Sequence, residues 1–301
     1  MVSAPYNLPL WCIVQGDGDK AYWTSRGPVP MQFCTTGESR PLFQRSIHRA
    51  LSITKSRRVV ATVAEAHRQW WSNPLWCIAP QRRVVDESTG RPTVTLAAAL
   101  AIVERAARDA LLVIQPADAF RAGERAFVAA VRRAVRALDE LPGHVITLTF
   151  EAHTAEPGQD YLLLGAEDEF PGRAALSFVK RPQALVAERL VEIGACVSTG
   201  VYVARLSTVT NLLAQRWPEL MAAARSLVAG LSPQTHSDCT RAQEVVTPVR
   251  MAGTHFSRPW RHTWVQRPLP QLRVVPVDDC GWSSVGQVSA DEELTADYSC
   301  D

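Results

Sequence analysis

Short apolar runs and longer segments of helical periodicity alternate along this 301-residue chain. The apolar runs are rich in β-branched residues and predict strands at residues 8–14, 58–62, 75–79, 111–115, 145–150, 174–179, 201–204 and 272–277. Segments rich in Ala, Leu, Arg and Glu predict helices at residues 94–110, 119–140, 183–193 and 206–229. Because strands and helices alternate in this way in layered sheets, the sequence predicts an α/β fold.

Composition and charge narrow the class of protein. The chain carries 32 Lys and Arg residues against 30 Asp and Glu residues, so no strong field favours nucleic acid or anionic lipid. No stretch is apolar for the length of a membrane span, and residues 1–8 lack the cations that begin a signal peptide. Seven scattered cysteines without a CxxC pair indicate reduced thiols. We expect a soluble cytoplasmic protein that binds neither nucleic acid nor membrane.

Residues 232–270 differ from the rest of the chain. They contain five prolines and three histidines with little periodicity, which predicts a loop-rich insertion or flap. The histidine spacing matches no recurrent metal-ligand pattern. The predicted organisation is a core at residues 1–231, this insertion, a last core strand within 271–290 and an acidic tail at 291–301.

A polar turn with two glycines follows the first predicted strand. Residues 15–20 read QGDGDK, and Gly16 and Gly18 would let backbone N–H groups approach a phosphate. The glycine spacing matches neither the GxGxxG dinucleotide fingerprint nor a Walker A loop. On this pattern alone, a phosphate-binding loop and an ordinary polar turn both remain open.

Eight segments resemble, in order, motifs of the mannose-1-phosphate guanylyltransferase family. Residues 13–20, 25–26 and 30–33 resemble the signature LAGGxGTRLWPLSRxxxPKQF. The others are residues 44–51 (QRSIHRAL, for QxTxxRL), 87–93 (ESTGRPT, for EPxxRNT), 115–118 (QPAD, for PADH), 158–162 (GQDYL, for GYGYI), 178–182 (FVKRP, for FVEKP), 197–202 (VSTGVY, for WNSGxF) and 277–286 (VDDCGWSSVG, for VDxGWSDVG). Each motif is degenerate, but their common order over nearly the whole chain is hard to obtain by chance.

The resemblance implies an α/β fold of the nucleotide-diphospho-sugar transferase type, a Rossmann-like, mixed but mostly parallel sheet with helices on both faces. It also implies that a nucleoside triphosphate binds near the N-terminal loop and a phosphorylated small-molecule acceptor binds in the later half. The implied nucleotide contacts are Gln15, Gly16, Gly18, Glu87, Arg91 and Thr93. The implied acceptor contacts are Gly158, Asp160, Lys180, Arg181, Ser198 and Thr199.

The implied reaction is attack by a sugar-phosphate oxygen on the α-phosphorus of the triphosphate, with release of pyrophosphate. The charge that moves must be neutralised, and Mg²⁺ or another divalent cation held by carboxylates supplies this. By resemblance, Asp118 and Asp279 are catalytic carboxylates that bind the metal, and Lys20 neutralises phosphate charge. Both aspartates follow predicted strands, where a turn or capping role is the alternative.

The N-terminal loop departs from the family signature at charged positions. Lys20 replaces arginine and loses its two-pronged geometry, while Met31 replaces lysine and removes a cation. Asp17 and Asp19 add two carboxylates that would repel a triphosphate unless a metal intervenes or they turn outward.

The acceptor half departs as well. Lys180 replaces the glutamate of FVEKP, which by resemblance addresses sugar hydroxyls, and Arg181 keeps the phosphate-facing charge. Asp160 replaces the second glycine of GYGYI, and Ser198 replaces the asparagine of WNSG. Because buried hydrogen bonds set sugar specificity, these exchanges predict an acceptor other than mannose 1-phosphate.

Three functions follow as hypotheses. The first is an active nucleotidyltransferase, with GTP favoured by resemblance. The second is a catalytically impaired relative that binds nucleotide or sugar nucleotide as a regulatory or scaffold subunit, which Met31, Asp17, Asp19 and Lys180 favour. The third is a glycosyltransferase that uses residues 17–19 (DGD) as a metal-binding pair. The sequence leaves a homodimer open.

Overall fold

The computed structural model describes residues 8–24, 27–36, 40–120, 123–156, 158–231, 245–247, 271–277, 283–284 and 294–295. The strands are β1 (Leu10–Gly16), β2 (Ala21–Thr24), β3 (Gly27–Pro30), β4 (Thr35–Thr36), β5 (Val59–Ala64), β6 (Arg83–Asp86), β7 (Leu111–Pro116), β8 (Ala119–Phe120), β9 (Val145–Glu151), β10 (Asp160–Leu164), β11 (Arg173–Lys180), β12 (Cys196–Arg205), β13 (Val245–Thr247), β14 (Leu272–Pro276), β15 (Ser283–Ser284) and β16 (Leu294–Thr295). The helices are α1 (Leu42–Ile53), α2 (Arg68–Trp71), α3 (Pro92–Ala106), α4 (Glu124–Glu140), α5 (Ala184–Glu192), α6 (Leu206–Arg216) and α7 (Pro218–Ala229).

Ten of the described strands form one mixed sheet in the order β10-β11-β14-β9-β12-β7-β1-β5-β6-β13. β1 runs parallel to β5 on one side and to β7 on the other. β12 runs antiparallel to both β7 and β9, so a parallel half of the sheet continues into a half that is mostly antiparallel. Every residue of β5 is buried, as expected for a parallel strand with helices on both faces.

Helices cover both faces of the sheet and enclose two apolar cores. Alternate residues of β1 serve the two cores, because successive side chains of a strand point to opposite faces. Cys12 and Val14 pack in the core that α1 and α4 cover. Trp11 and Ile13 pack in the core that α3, α6 and α7 cover. The predicted sheet with helices on both faces is confirmed.

Two sequence predictions of secondary structure were wrong. Residues 75–79 form turns, not a strand. Leu75 and Ile78 are fully buried, and the Arg83 guanidinium donates to both of their carbonyl oxygens at 2.8 Å. The run is therefore apolar because its turns pack into the core. Residues 206–229 form two helices, because Pro218 lacks an N–H and occupies the first turn of α7.

The later predicted segments are described only in part. Within residues 232–270 the structure describes β13, which extends the main sheet by parallel pairing with β6. The division of the chain at these boundaries stays a prediction. The three histidines at 236, 255 and 262 lie outside the described residues, as does Asp279. Among the residues that are described, no helix has the length and apolar character needed to cross a bilayer.

Candidate functional site

The crevice between β1 and β7 at their carboxyl ends is the candidate site. From β1 the chain proceeds outward through β5 and β6, then returns to the opposite side of β1 as β7. Helices α1 and α3, which follow β1 and β6, lie on opposite faces of the sheet. Ligands of open α/β sheets bind at such a reversal of strand order. Gln15 pairs with Pro116 at this end, so the glycine loop lies beside the segment that contains Asp118.

The glycine loop at residues 16–20 is held from below by Gln32. Its side-chain amide donates to the carbonyl oxygens of Gly16 and Gly18, at 3.0 and 3.1 Å. A Cβ on Gly16 would lie 2.4 Å from the Phe43 ring, so only glycine fits at this position. The same amide lies 3.5 Å from the His67 ring, whose pKa is lowered by burial. Gln32 was part of the sequence motif but was not among the predicted site residues.

Asp17 turns into the protein rather than towards the loop's outer surface. Its two carboxylate oxygens accept hydrogen bonds from Thr62 of β5 and Thr95 of α3, both at 2.8 Å. The side chain is buried, and burial raises its pKa. Both oxygens already have hydroxyl donors, whereas Asp19 is exposed. This arrangement speaks against residues 17–19 as a paired metal ligand.

Lys20 and Gln15 stand at the two ends of the loop. Lys20 is exposed, and its carbonyl oxygen accepts from the Met31 N–H at 2.9 Å. Gln15 donates from its side-chain amide to the Pro92 carbonyl at 3.2 Å. That bond ties the end of β1 to the first turn of α3, so the loop and the start of this helix share one framework.

The turn before α3 contains the other predicted nucleotide contacts. Arg91 is buried and donates two hydrogen bonds to the fully buried Asp86 carboxylate, one of them at 2.9 Å. Arg91 Nη1 is buried without a hydrogen-bond partner among the described residues. Glu87 is exposed, and Thr93 is fully buried within α3. Arg91 thus closes its own turn through Asp86, a tie that the sequence did not predict.

Asp118 is half-buried two residues beyond β7. Helix α1 supports this segment, since the Gln115 amide donates to the Ser46 carbonyl at 3.1 Å and the Ser46 hydroxyl donates to the Ala117 carbonyl at 3.4 Å. β8 begins at the residue after Asp118 and pairs with β15. Asp279 lies outside the described residues, between β14 and β15 in the sequence.

One edge of β12 brings the two halves of the predicted site together. β7 pairs with residues 202–205 of β12 along this edge, and β10 pairs with residues 196–197. β9 occupies the opposite edge at both places. β7 therefore stops pairing with β12 before Asp118 is reached, and β10, which begins at Asp160, pairs with the preceding part of β12. The residues predicted to bind nucleotide and those predicted to bind acceptor therefore lie on segments that follow one edge of β12.

β12 contains a bulge between the residues that pair with β10 and those that pair with β7. The register against β9 shifts between Ser198 and Tyr202, and Gly200 has a left-handed φ of 71°. A Cβ on Gly200 would lie 3.3 Å from Pro116 of β7. Thr199 uses its hydroxyl to fix the bulge, donating to the Leu148 carbonyl at 2.7 Å and accepting from a backbone N–H at 3.2 Å. Ser198 is buried beside it.

The remaining acceptor residues gather at the start of β10 and the end of β11. Asp160 pairs directly with Lys180. Arg181 follows with a positive φ of 38°, and its N–H donates to the Gln159 carbonyl at 3.1 Å. Gly158, Lys180 and Arg181 are exposed. The fold thus brings segments that are distant in sequence to one crevice, whereas Thr93 and Thr199 are buried beneath its surface.

The chain is similar in sequence to curated proteins named as mannose-1-phosphate guanylyltransferases. A Vibrio cholerae protein provisionally named mannose-1-phosphate guanylyltransferase is 27% identical over 281 residues, which cover 91% of this chain and 57% of the relative. Mannose-1-phosphate guanylyltransferase ManC of Salmonella typhimurium is 26% identical over 299 residues, 93% of this chain and 58% of the relative. The chain is a divergent relative of the mannose-1-phosphate guanylyltransferases. It spans little more than half the length of these two proteins. No family model matches it.

Solved structures identify the fold. A Thermus thermophilus protein described as a mannose-1-phosphate geranyltransferase superposes with a TM-score of 0.70 at 18% identity, covering 93% of this chain and 77% of its own. A Helicobacter pylori mannose-6-phosphate isomerase gives 0.62 at 13% identity, with 92% and 100% covered. The inositol-1-phosphate CTP transferase of T. maritima gives 0.51 at 12% identity, with 92% and 89% covered. The predicted Rossmann-like nucleotide-diphospho-sugar transferase fold is confirmed.

Proposed function

We propose that this divergent relative is a nucleotidyltransferase that moves a nucleotidyl group onto a sugar 1-phosphate or a related phosphorylated acceptor, with release of pyrophosphate. GTP is the favoured donor, because both named guanylyltransferase relatives match the chain over more than nine-tenths of its length. The observation that carries the proposal is the change of partner along β12. β7, which precedes Asp118, and β10, which begins with Asp160, pair with neighbouring stretches of β12.

The N-terminal loop is the proposed binding site for the triphosphate. Gly16 and Gly18 are fixed by Gln32, so the loop backbone is ordered before a ligand binds. The inward turn of Asp17 removes one carboxylate from the surface that would face phosphate. Lys20 supplies the cation at the end of this loop. Gln15, Glu87, Arg91 and Thr93 complete the nucleotide side, with Arg91 and Thr93 acting from buried positions.

Asp118 and Asp279 are the proposed ligands of Mg²⁺ or another divalent cation. Asp118 offers hard oxygen ligands at a half-buried strand end, which fits the preference of Mg²⁺ for one or two carboxylates together with phosphate oxygens. The pairing of β8 with β15 joins segments that follow these two aspartates in the sequence. When bound, the cation would neutralise negative charge on the phosphate oxygens.

The acceptor binds, in this proposal, where β10, β11 and the β12 bulge meet. Arg181 provides the charge that holds the acceptor phosphate. Buried Ser198 and exposed Gly158 are the further proposed contacts, and Thr199 supports the bulge without a spare hydroxyl proton, since it already donates to the Leu148 carbonyl. Close placement of acceptor and triphosphate accounts for much of the catalysis in such reactions.

A second candidate is a relative that binds nucleotide or sugar nucleotide without turnover. Met31 favours it, because this residue removes a cation from the signature at a position hydrogen-bonded to Lys20. The inward position of Asp17 weakens the case, since one of the repulsive carboxylates does not face the ligand side.

The test is product identity in a matrix of donors and acceptors. The protein is incubated with each common nucleoside triphosphate, a panel of sugar 1-phosphates and Mg²⁺, and products are identified by mass spectrometry. The proposal expects one sugar nucleotide that requires both substrates. Calorimetric binding of a triphosphate without any product would favour the second candidate. Absence of both would reject the two together.

A further inference from the structure

β10 is paired along both edges at the point where the acceptor residues gather. Asp160 pairs with Lys180 of β11 across one edge. Tyr161 pairs with Val197 of β12 across the other edge. Ser198, which follows Val197 on β12, lies one position beyond this pairing. Because opposed residues share one face of a sheet, with Cβ atoms about 4.5–5.5 Å apart, Asp160 stands beside the cationic side chain of Lys180.

The Asp160 carboxylate has an oxygen that needs a donor. Its Oδ1 atom is buried, and no described residue donates a hydrogen bond to it. A buried carboxylate oxygen without a donor is unfavourable, because it has given up its water without replacement. A ligand hydroxyl that enters the crevice would supply the missing donor.

The two opposed positions differ in charge from the motifs that the chain resembles. Those motifs place glycine at the position of Asp160 and glutamate at the position of Lys180, so a carboxylate stands on β11. In this chain the carboxylate stands on β10, directly across the pair. The displacement is one strand spacing, about 4.8 Å, which is within the reach of a sugar ring. The two substitutions therefore move the carboxylate from β11 to β10 and add a cation on β11, so the pair is one unit more positive than in the motifs.

We infer that Asp160 is a specificity-determining residue that accepts hydrogen bonds from acceptor hydroxyls, while Lys180 joins Arg181 in holding the acceptor phosphate. The inference rests on the proposed function, since it concerns the acceptor of that reaction. It assigns the acceptor to polyhydroxylated phosphates, with a hydroxyl pattern read from β10 instead of β11.

A double-mutant cycle tests the roles of Asp160 and Lys180. Asp160→Gly and Lys180→Glu are prepared singly and together, and KM is measured for the acceptor and for the triphosphate. Each single variant should raise the acceptor KM at least about tenfold, because one loses the carboxylate and the other opposes two carboxylates. The double variant should keep a raised KM for that acceptor, because it lacks both the β10 carboxylate and the Lys180 cation, and the triphosphate KM should not change. A double variant with the wild-type acceptor KM would overturn the inference, because the strand that carries the carboxylate would then not matter.

Asp160→Asn keeps the side-chain volume and guards against a folding defect of the glycine variant. It should raise the acceptor KM as Asp160→Gly does. Glu188→Gln on the exposed face of α5 removes one negative charge elsewhere and should change neither KM. An unchanged acceptor KM in Asp160→Asn, with an active wild type, would reject the inference and leave the proposed function standing.

Direct binding separates the inference from the reaction. Calorimetry with hexose 1-phosphates and with inorganic phosphate measures whether the hydroxyls add affinity. The wild type should bind one hexose 1-phosphate at least about tenfold more tightly than inorganic phosphate, and Asp160→Asn should lose that difference. This result without pyrophosphate release would support the inference and reject the transferase. Equal binding of both ligands by the wild type would reject the inference.

Discussion

Asp17 places a buried carboxylate directly beneath the glycine loop. Its oxygens accept from Thr62 and Thr95, which belong to a strand and a helix on different sides of the loop. Its backbone carbonyl also accepts from the Gly90 N–H at 3.1 Å. One residue thus ties the glycine loop, β5 and the start of α3 together. Burial removes water from the carboxylate and disfavours its charged form, which raises the pKa of Asp17.

This raised pKa predicts a pH-dependent difference between the wild type and Asp17→Asn. A folded-state pKa above the unfolded value contributes stability that is complete below the unfolded value, near 3.8 for Asp17, and is lost as pH rises through the folded value. The wild type should therefore lose stability relative to Asp17→Asn as pH rises from about 4 towards neutrality, by about 1.4 kcal/mol per unit of pKa elevation. Urea unfolding of both proteins at several pH values measures this. A wild type that keeps or gains stability relative to Asp17→Asn as pH rises over this range would contradict the account.

Gln32 is the second internal tie of the loop. Gln32→Met keeps the length of the side chain but removes the donor to the carbonyl oxygens of buried Gly16 and exposed Gly18, so the free energy of unfolding should fall by about 1–3 kcal/mol. Triphosphate affinity should fall as well, because the loop is no longer ordered in advance. Gln81→Met at an exposed site is the matched control and should change stability by less than about 0.5 kcal/mol. Equal stability of the two variants would contradict a stabilising role of the two Gln32 hydrogen bonds.

Sequence reasoning located the loop but not the ties beneath it. The glycines and Lys20 were recognisable because their spacing follows a known signature. The inward direction of Asp17 depends on Thr62 and Thr95, which lie 45 and 78 residues away in the chain. The available signal was the presence of Thr62 and Thr95 within otherwise apolar segments. Their positions in the sequence do not show which carboxylate their hydroxyls bind.

The β12 bulge decides how the strands around the crevice meet. β12 carries β9 along one edge, while β7 and β10 share the other. Gly200 allows the change of register, because its left-handed φ is costly for other residues and it lies against Pro116. Residues 201–204 were predicted as a strand, but the pairing partners were not. β6 and β10 were missed because neither contains a run of β-branched residues like those of the predicted strands: β6 reads RVVD and β10 reads DYLLL.

Gly200→Ala and Gly194→Ala separate the effect of the bulge from that of backbone strain. Both glycines have left-handed φ values, 71° and 74°, so each substitution should cost about 1–2 kcal/mol of stability. Only Gly200 lies against β7, since a Cβ on Gly194 would meet nothing within 4 Å. Gly200→Ala should therefore also lower pyrophosphate release, whereas Gly194→Ala should not. Equal activity of the two variants would show that the bulge does not shape the site.

The whole molecule assembles one crevice from segments that lie far apart in the sequence. The reversal of strand order beside β1 supplies the proposed nucleotide end, and the antiparallel half of the sheet supplies the proposed acceptor end. The order of motifs predicted this layout, because a resemblance over nearly the whole chain constrains the fold more than any one residue. It did not predict that Asp160 and Lys180 are opposed, since register is a property of the folded sheet.

Pyrophosphate release tests the central claim that this crevice transfers nucleotidyl groups. The wild type, Asp118→Asn and the control Asp139→Asn on α4 are compared with Mg²⁺, triphosphate and sugar 1-phosphate, each also with one substrate omitted. We expect release that needs both substrates, is unchanged in the control and falls at least about 100-fold in Asp118→Asn with the fold intact. Release that continues in Asp118→Asn at the wild-type rate, or that needs no acceptor, would contradict the account.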